Sequence, residues 1–315
     1  MIRTVRELKG TEEITMTERM ISSDAITRRY LDSILVEVRH LDAVLADTSV
    51  ELYGRKFGTP VMTGALSHLN KFCDITSGED GMLRMARGAK MADAVCFTGM
   101  GGTDELAAMI DTGAAVVKII KTYRDRDMIY ARIRCAEEKG ALAVGIDIDH
   151  AFNRESGYDI VDGQEMRPMS SPELGELVRS TRLPFVVKGV LSVQDTVKCV
   201  QAGVQGIVVS HHNGRLDCSV PPLMALPEIL KAADGAFPVF VDCSLQSGLD
   251  VFRCLALGAK ACCVGRPIMK PLKERGAEGV RDTLLGITED LRYTMGMTCS
   301  KDLRHIDPSV LHFAG

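Results

Sequence analysis

The sequence predicts a (β/α)8 TIM barrel with an N-terminal helical extension. Three observations carry that prediction. Eight short apolar runs recur between residues 60 and 265. Longer stretches with helical spacing separate them. Several of those stretches stop at a glycine, which enters positive φ without steric penalty.

Residues 1–58 read as charged and helical, an extension packed on a barrel formed by residues 59–315, with one domain overall. The eight expected strands are 60–65, 94–98, 115–120, 143–149, 185–190, 206–210, 238–242 and 261–265. Their continuous apolar character fits strands buried on both faces of a parallel sheet. Helices are expected over 125–139, 192–202 and 247–257, each followed by glycine, at Gly140, Gly203 and Gly258. Ser192 and Ser247 are placed to cap their helices. Residues 150–170 are polar and irregular, and form the long connection that would cover a substrate. A closing helix is expected over 278–297. Repeated β-then-α units admit a doubly wound open sheet as the alternative, but eight of them suit a closed barrel.

Composition excludes several classes of function. Of 315 residues, 46% are apolar and 25% charged, with a net charge of -4, which offers no strong field for nucleic acid or an anionic membrane. No apolar run approaches the roughly 20 residues that span a bilayer, and the N-terminus has no apolar leader. Ten cysteines without a CxxC pair, several in apolar strands, read as reduced thiols in a cytoplasmic protein.

In a (β/α)8 barrel the active site lies at the C-terminal ends of the strands. The polar residues expected there are Asp147, Asp149, Lys188, Ser210, His211, His212, Arg215, Asp242, Gly265 and Arg266. Taken singly, each has a plain explanation. Lys188 would snorkel to water, His212 would be a satisfied structural histidine, and Asp242 would cap a helix. Their fall on one rim favours a shared chemical role. His211 and His212 are adjacent, so they should point to opposite sides, and no metal site is expected.

At this rim the chain resembles the FMN-dependent 2-hydroxy acid oxidase and dehydrogenase family, which includes glycolate oxidase, lactate oxidase and the flavocytochrome lactate dehydrogenases. The matching segments are Val186-Val187-Lys188-Gly189-Val190, Val208-Val209-Ser210-His211-His212-Asn213-Gly214-Arg215, Pro238-Val239-Phe240-Val241-Asp242, the run from Gly248 to Ala259, and Val264-Gly265-Arg266-Pro267. Weaker likeness extends to Tyr123-Arg124-Asp125-Arg126 and Leu52-Tyr53-Gly54-Arg55-Lys56-Phe57. The resemblance implies bound FMN and oxidation of a small 2-hydroxy acid, with oxygen or another acceptor taking the electrons. It implies that Lys188 sits at the N1–C2=O edge of the flavin and that His212 is the general base as a hydride equivalent passes to N5. Asp149 would orient His212, with Asp147 the alternative. Arg215 would clamp the substrate carboxylate, assisted by Arg154. Thr63, Gly64 and Ala65 would pass the flavin ring, while Ser210, Asp242, Cys243, Ser244, Gly265 and Arg266 would contribute to the cofactor site. A homo-oligomer, a tetramer by resemblance, is also implied.

The departures are as informative. Residues 1–25 hold no tyrosine, and Ile119 and Lys121 stand where the family has Gln-x-Tyr. Asp147 replaces a threonine, His211 an asparagine, Asn213 a glycine, and Gln246 an arginine that reaches the phosphate. Lys121 is thereby a new positive contact for an anionic substrate. An isomerase-like flavin reaction, or a barrel that has lost turnover, are the competing functions.

Overall fold

A computed structural model describes residues 22–155 and 157–314. Eight strands form one sheet: β1 Val61–Thr63, β2 Val95–Thr98, β3 Ala115–Lys121, β4 Ala143–Asp147, β5 Phe185–Val190, β6 Gly206–Val209, β7 Val239–Val241 and β8 Ala261–Val264. Their order is β1-β8-β7-β6-β5-β4-β3-β2, and every hydrogen-bonded pair is parallel. Sequence neighbours are therefore spatial neighbours all the way round, with no reversal of order such as a doubly wound sheet requires. The circle closes between β1 and β2 by a single bridge, Leu66 with Thr98. Gly99 N–H donates to Leu66 O at 2.8 Å, and the Thr63 hydroxyl donates to Phe97 O at 2.9 Å.

Side chains alternate across the sheet. On β3, Ala115, Val117 and Ile119 join the barrel interior, while Val116 and Ile120 pack under the helices. Both sets are apolar, which explains the unbroken runs in the sequence. The expected helices form as Arg126–Lys139, Val193–Ala202 and Gly248–Ala256. The side chains of Asp125, Ser192 and Ser247 each accept a first-turn N–H. The last helix runs over Arg266–Met297 with a break at Gly276, so the expected closing helix has a partner segment before it. It packs so closely on Gly81–Met91 that a Cβ on Gly88 would lie 2.5 Å from that of Val280.

The N-terminal region departs from the helical expectation. Within the described residues its helix is Ser23–Asp32. Ile34–Val36 then pairs antiparallel with Leu311–Phe313, and Val50–Leu52 forms a hairpin with Arg55–Phe57. The hairpin buries Val50, Leu52 and Phe57 in the apolar cluster at the barrel interior. Its alternate residues Glu51, Arg55 and Lys56 stay exposed, which gives the segment its charged, helix-like texture in the sequence. Residues 1–21 lie outside the described residues. The ten cysteines form no disulfide among the described residues, and no helix among them is long and apolar enough to cross a membrane.

Candidate active site

Strand register builds the site. Lys121 at the end of β3 stands opposite Asp147 on β4, and Asp147 stands opposite Lys188 on β5. Lys121 continues the inward phase of Ala115, Val117 and Ile119. The three side chains thus make one buried row at the mouth of the barrel. Asp147 Oδ2 lies 2.7 Å from Lys121 Nζ and 3.6 Å from Lys188 Nζ. Burial works against the Asp147 carboxylate, but Lys188, Lys121 and His212 hold its pKa well below the ordinary value. Burial pulls Lys121 down. Lys188 is also opposed by burial, yet Asp147, Asp149 and Asp242 raise it above its ordinary value. The Asp149 and Asp242 carboxylates lie 3.8 and 3.9 Å from its Nζ.

His212 follows β6 on a turn of three successive left-handed residues, His212, Asn213 and Gly214, with φ of 49°, 55° and 86°. Such backbone costs of order 1–3 kcal/mol at each non-glycine residue and is kept where the surroundings impose it. The His212 N–H donates to Ser210 Oγ at 3.1 Å. The ring Nδ1 lies 2.8 Å from Asp149 Oδ1, 3.3 Å from Asp147 Oδ2 and 2.9 Å from Lys188 Nζ. Asp149 approaches off the N–H axis, so its oxygens stop short of a formed hydrogen bond. Burial and Lys188 push the His212 pKa down, but Asp147 and Asp149 outweigh them and raise it. Burial and the neighbouring Asp147 raise Asp149. His211 turns the other way, its Nε2 2.7 Å from the Thr27 hydroxyl of the N-terminal helix.

Lys121, Lys188 and His212 open on a cavity of about 400 Å³, within the size range of small-molecule sites. Gly64, Ala65, Cys243, Ser244, Gly265 and Arg266 line it too. Thr63 does not, because its hydroxyl is turned onto Phe97 O across the barrel seam. Ser210 lies beneath the cavity, its Oγ 3.5 Å from Lys188 Nζ. Asp242 lines the cavity wall and accepts a hydrogen bond from Cys243 Sγ at 2.9 Å.

The cavity suits a flavin phosphate. The helix Arg266–Met297 begins there at Gly265, with no side chain capping its first turn. Free first-turn N–H groups and the helix dipole favour an anion. Cys243 and Ser244 hold φ of 74° and 58°, a turn that re-aims successive peptide groups at the same place. The Arg266 side chain pairs with Asp24 and with Asn213 Oδ1, and Ser244 Oγ donates to Asp24 Oδ1 at 3.2 Å.

The two expected clamp arginines fall elsewhere. Arg215 donates to Asp159 Oδ2 at 2.7 Å and to Phe152 O at 2.6 Å. Arg154 pairs with Asp217 at 2.9 Å on an exposed surface. Both line a second, larger cavity of about 1090 Å³ beyond His212. A further residue joins the site without having been expected. His150 follows Asp149, and its Nε2 lies 3.3 Å from that of His212. Its only sequence signal is adjacency to Asp149.

Comparisons with known proteins agree with this layout. The family described as FMN-dependent dehydrogenase matches residues 17–174 and 153–313. Glycolate oxidase of Spinacia oleracea is 30% identical over 299 residues, covering 84% of this chain and 80% of its own. A 4-hydroxymandelate oxidase of Amycolatopsis orientalis is 31% identical over 284 residues, covering 79% and 78%. A solved mandelate oxidase variant with an FMN adduct superposes with a TM-score of 0.80 at 29% identity, over 95% of each chain.

Proposed function

Because the chain belongs to the FMN-dependent dehydrogenase family, we propose a division of labour among its residues in oxidising a 2-hydroxy acid with FMN. Bound FMN supplies the acceptor for the electron pair that leaves the substrate α-carbon. Lys188, Gly64, Ala65, Cys243, Ser244, Gly265 and Arg266 would hold it, with the phosphate at the start of the helix Arg266–Met297. Lys188 places a fixed positive charge, shielded from water, where negative charge develops.

His212 is the base. With Nδ1–H directed at Asp149, its Nε2 lone pair is free to take the proton of the substrate. Asp149 and Asp147 stabilise the imidazolium that forms, and their charges already favour it. Lys121, on the cavity wall, is the contact for the substrate carboxylate. Arg215 and Arg154, each already paired with an aspartate, act from the second cavity. The unlinked cysteines of the described residues support a reducing compartment, and the family resemblance supports a homo-oligomer.

The observation that carries this reading is the convergence of Lys188, Asp149 and His212 at the cavity. The test is anaerobic mixing of the flavin-loaded protein with glycolate, lactate and mandelate. At least one should bleach the flavin, and His212→Ala should keep the flavin and lose the bleaching. No bleaching of the wild type by any 2-hydroxy acid would sink the reading. Reoxidation in air separates oxygen from another acceptor.

A further inference from the structure

The mechanism above leaves the facing histidines unexplained. His150 Nδ1 lies 3.0 Å from Asp159 Oδ2, as His212 Nδ1 lies near Asp149. A neutral imidazole that directs Nδ1–H at a carboxylate carries its lone pair on Nε2. Here the two Nε2 atoms face each other at 3.3 Å, with the ring centroids 4.4 Å apart and the planes at 71°. Two opposed lone pairs at that distance repel. One positive charge between them turns repulsion into a hydrogen bond.

The surroundings are short of one such charge. Asp147 and Asp149 face His212 from the end of β4, Lys188 from β5, and Asp242 from β7 across Lys188. Asp159, Arg215 and Lys121 face His150. That sets four carboxylates against three cations. The two rings are also unequal. Burial, Lys121 and His212 pull His150 down to about 3, while His212 is raised, so a single proton belongs on the His212 side.

We propose that His150 is the proton partner of His212: the two rings share one proton, and His150 carries the proton taken from the substrate out of the active site through Asp159. This rests on the oxidation assigned above. The substrate hydroxyl displaces His150 from His212 Nε2 and gives up its proton there. The rings then rejoin. The Nε2–H bond of His212 breaks as one forms at His150 Nε2, and the Nδ1–H bond of His150 breaks as the proton reaches Asp159 Oδ2. Arg215 shares that same oxygen at 2.7 Å, which disfavours a lasting proton on Asp159. The proton passes to solvent in the second cavity, which Asp159, Arg215 and His212 all line. No redox partner is needed for these transfers.

The test uses the flavin-loaded protein. In His150→Ala, kcat should fall about tenfold or more, within the range for losing a proton-transfer group, and added imidazole should restore a large part of it. Ring 15N NMR should show one proton taken up by the pair in the wild type, and His212 should titrate at lower pH in His150→Ala, because its imidazolium has lost an acceptor. His150→Gln keeps the volume but carries no proton, so its kcat should fall as far, which covers the case in which the alanine variant fails to fold. An undiminished kcat in either variant overturns the proposal. So does an unmoved His212 titration, or stoichiometric metal between the rings. If the wild type oxidises no 2-hydroxy acid, the oxidation reading fails, while the NMR titration still decides whether the proton is shared.

Discussion

At the N-terminal end of the barrel, the hairpin Val50–Leu52 and Arg55–Phe57 fills the interior with Val50, Leu52 and Phe57. At the C-terminal end, the same interior finishes in Lys121, Asp147 and Lys188. Burying apolar surface stabilises by about 25 cal/mol per Å². Burying ions costs several kcal/mol each before their mutual attraction offsets it. One end therefore holds the fold together, and the other holds charge in position at the fold's expense. The difference between them is measurable because each end is made of different residues on the same strands.

The largest effect is expected at His212. His212→Ala should lower kcat by roughly 10²–10⁴, the range for losing a general base, with no comparable loss of stability. Stopped-flow flavin reduction alongside urea unfolding reads both. At the opposite end Phe57→Ala should invert the pattern, losing about 3–5 kcal/mol of stability while kcat per folded molecule stays near wild type. A fall in kcat there as large as that of His212→Ala would erase the distinction between the ends.

Asp147→Asn bridges the two behaviours. It leaves Lys121 and Lys188 buried without their shared carboxylate, which should cost about 3–5 kcal/mol by urea unfolding, and it removes one group that raises His212. The pH profile sharpens this. The base works unprotonated, and His212 is raised in this site, so the acidic limb of kcat/KM should lie above the ordinary histidine value of about 6.5. In Asp147→Asn that limb should move to lower pH. An unmoved limb would separate Asp147 from the electrostatics of the base.

Lys118 gives a quieter comparison on the same strand as Lys121. It faces outward, fully buried, with Nζ 3.1 Å from Met100 O and no carboxylate in contact. Burial draws it down to about 8. The unfolded chain therefore binds the extra proton between about pH 8 and the free lysine value of about 10.4. Stability should rise with pH across that window, and Lys118→Met should flatten the rise in urea titrations. The smallest effect is expected at Arg154, an exposed pair with Asp217. Arg154→Ala should change stability by no more than about 1 kcal/mol and KM by less than twofold. A large rise in KM would return it to the substrate.

The eight strands were legible because a strand covered on both faces needs apolar residues at every position, and such runs are plain in a sequence. Lys188 and His212 were legible because they interrupt those runs. The hairpin over 50–57 was not, since only alternate residues of two three-residue strands are buried and the rest are charged. His150, Asp159 and the partners of Arg215 were hidden for a different reason. Their meaning lies in contacts between separate loops, Arg215 with Asp159 and His150 with His212. No spacing along the chain encodes them.

The closure between β1 and β2 has a consequence for how the empty and filled barrels should breathe. Seven of the eight seams are strand ladders, but this one is a single bridge backed by the Thr63 hydroxyl. Gly64 and Ala65 border it on one side and Gly99 and Met100 on the other, and all four face the cavity. A ligand filling that space touches both lips and acts as a clasp. Amide exchange at Leu66 and Gly99 should therefore slow more on cofactor loading than at any ladder on the far side of the cylinder.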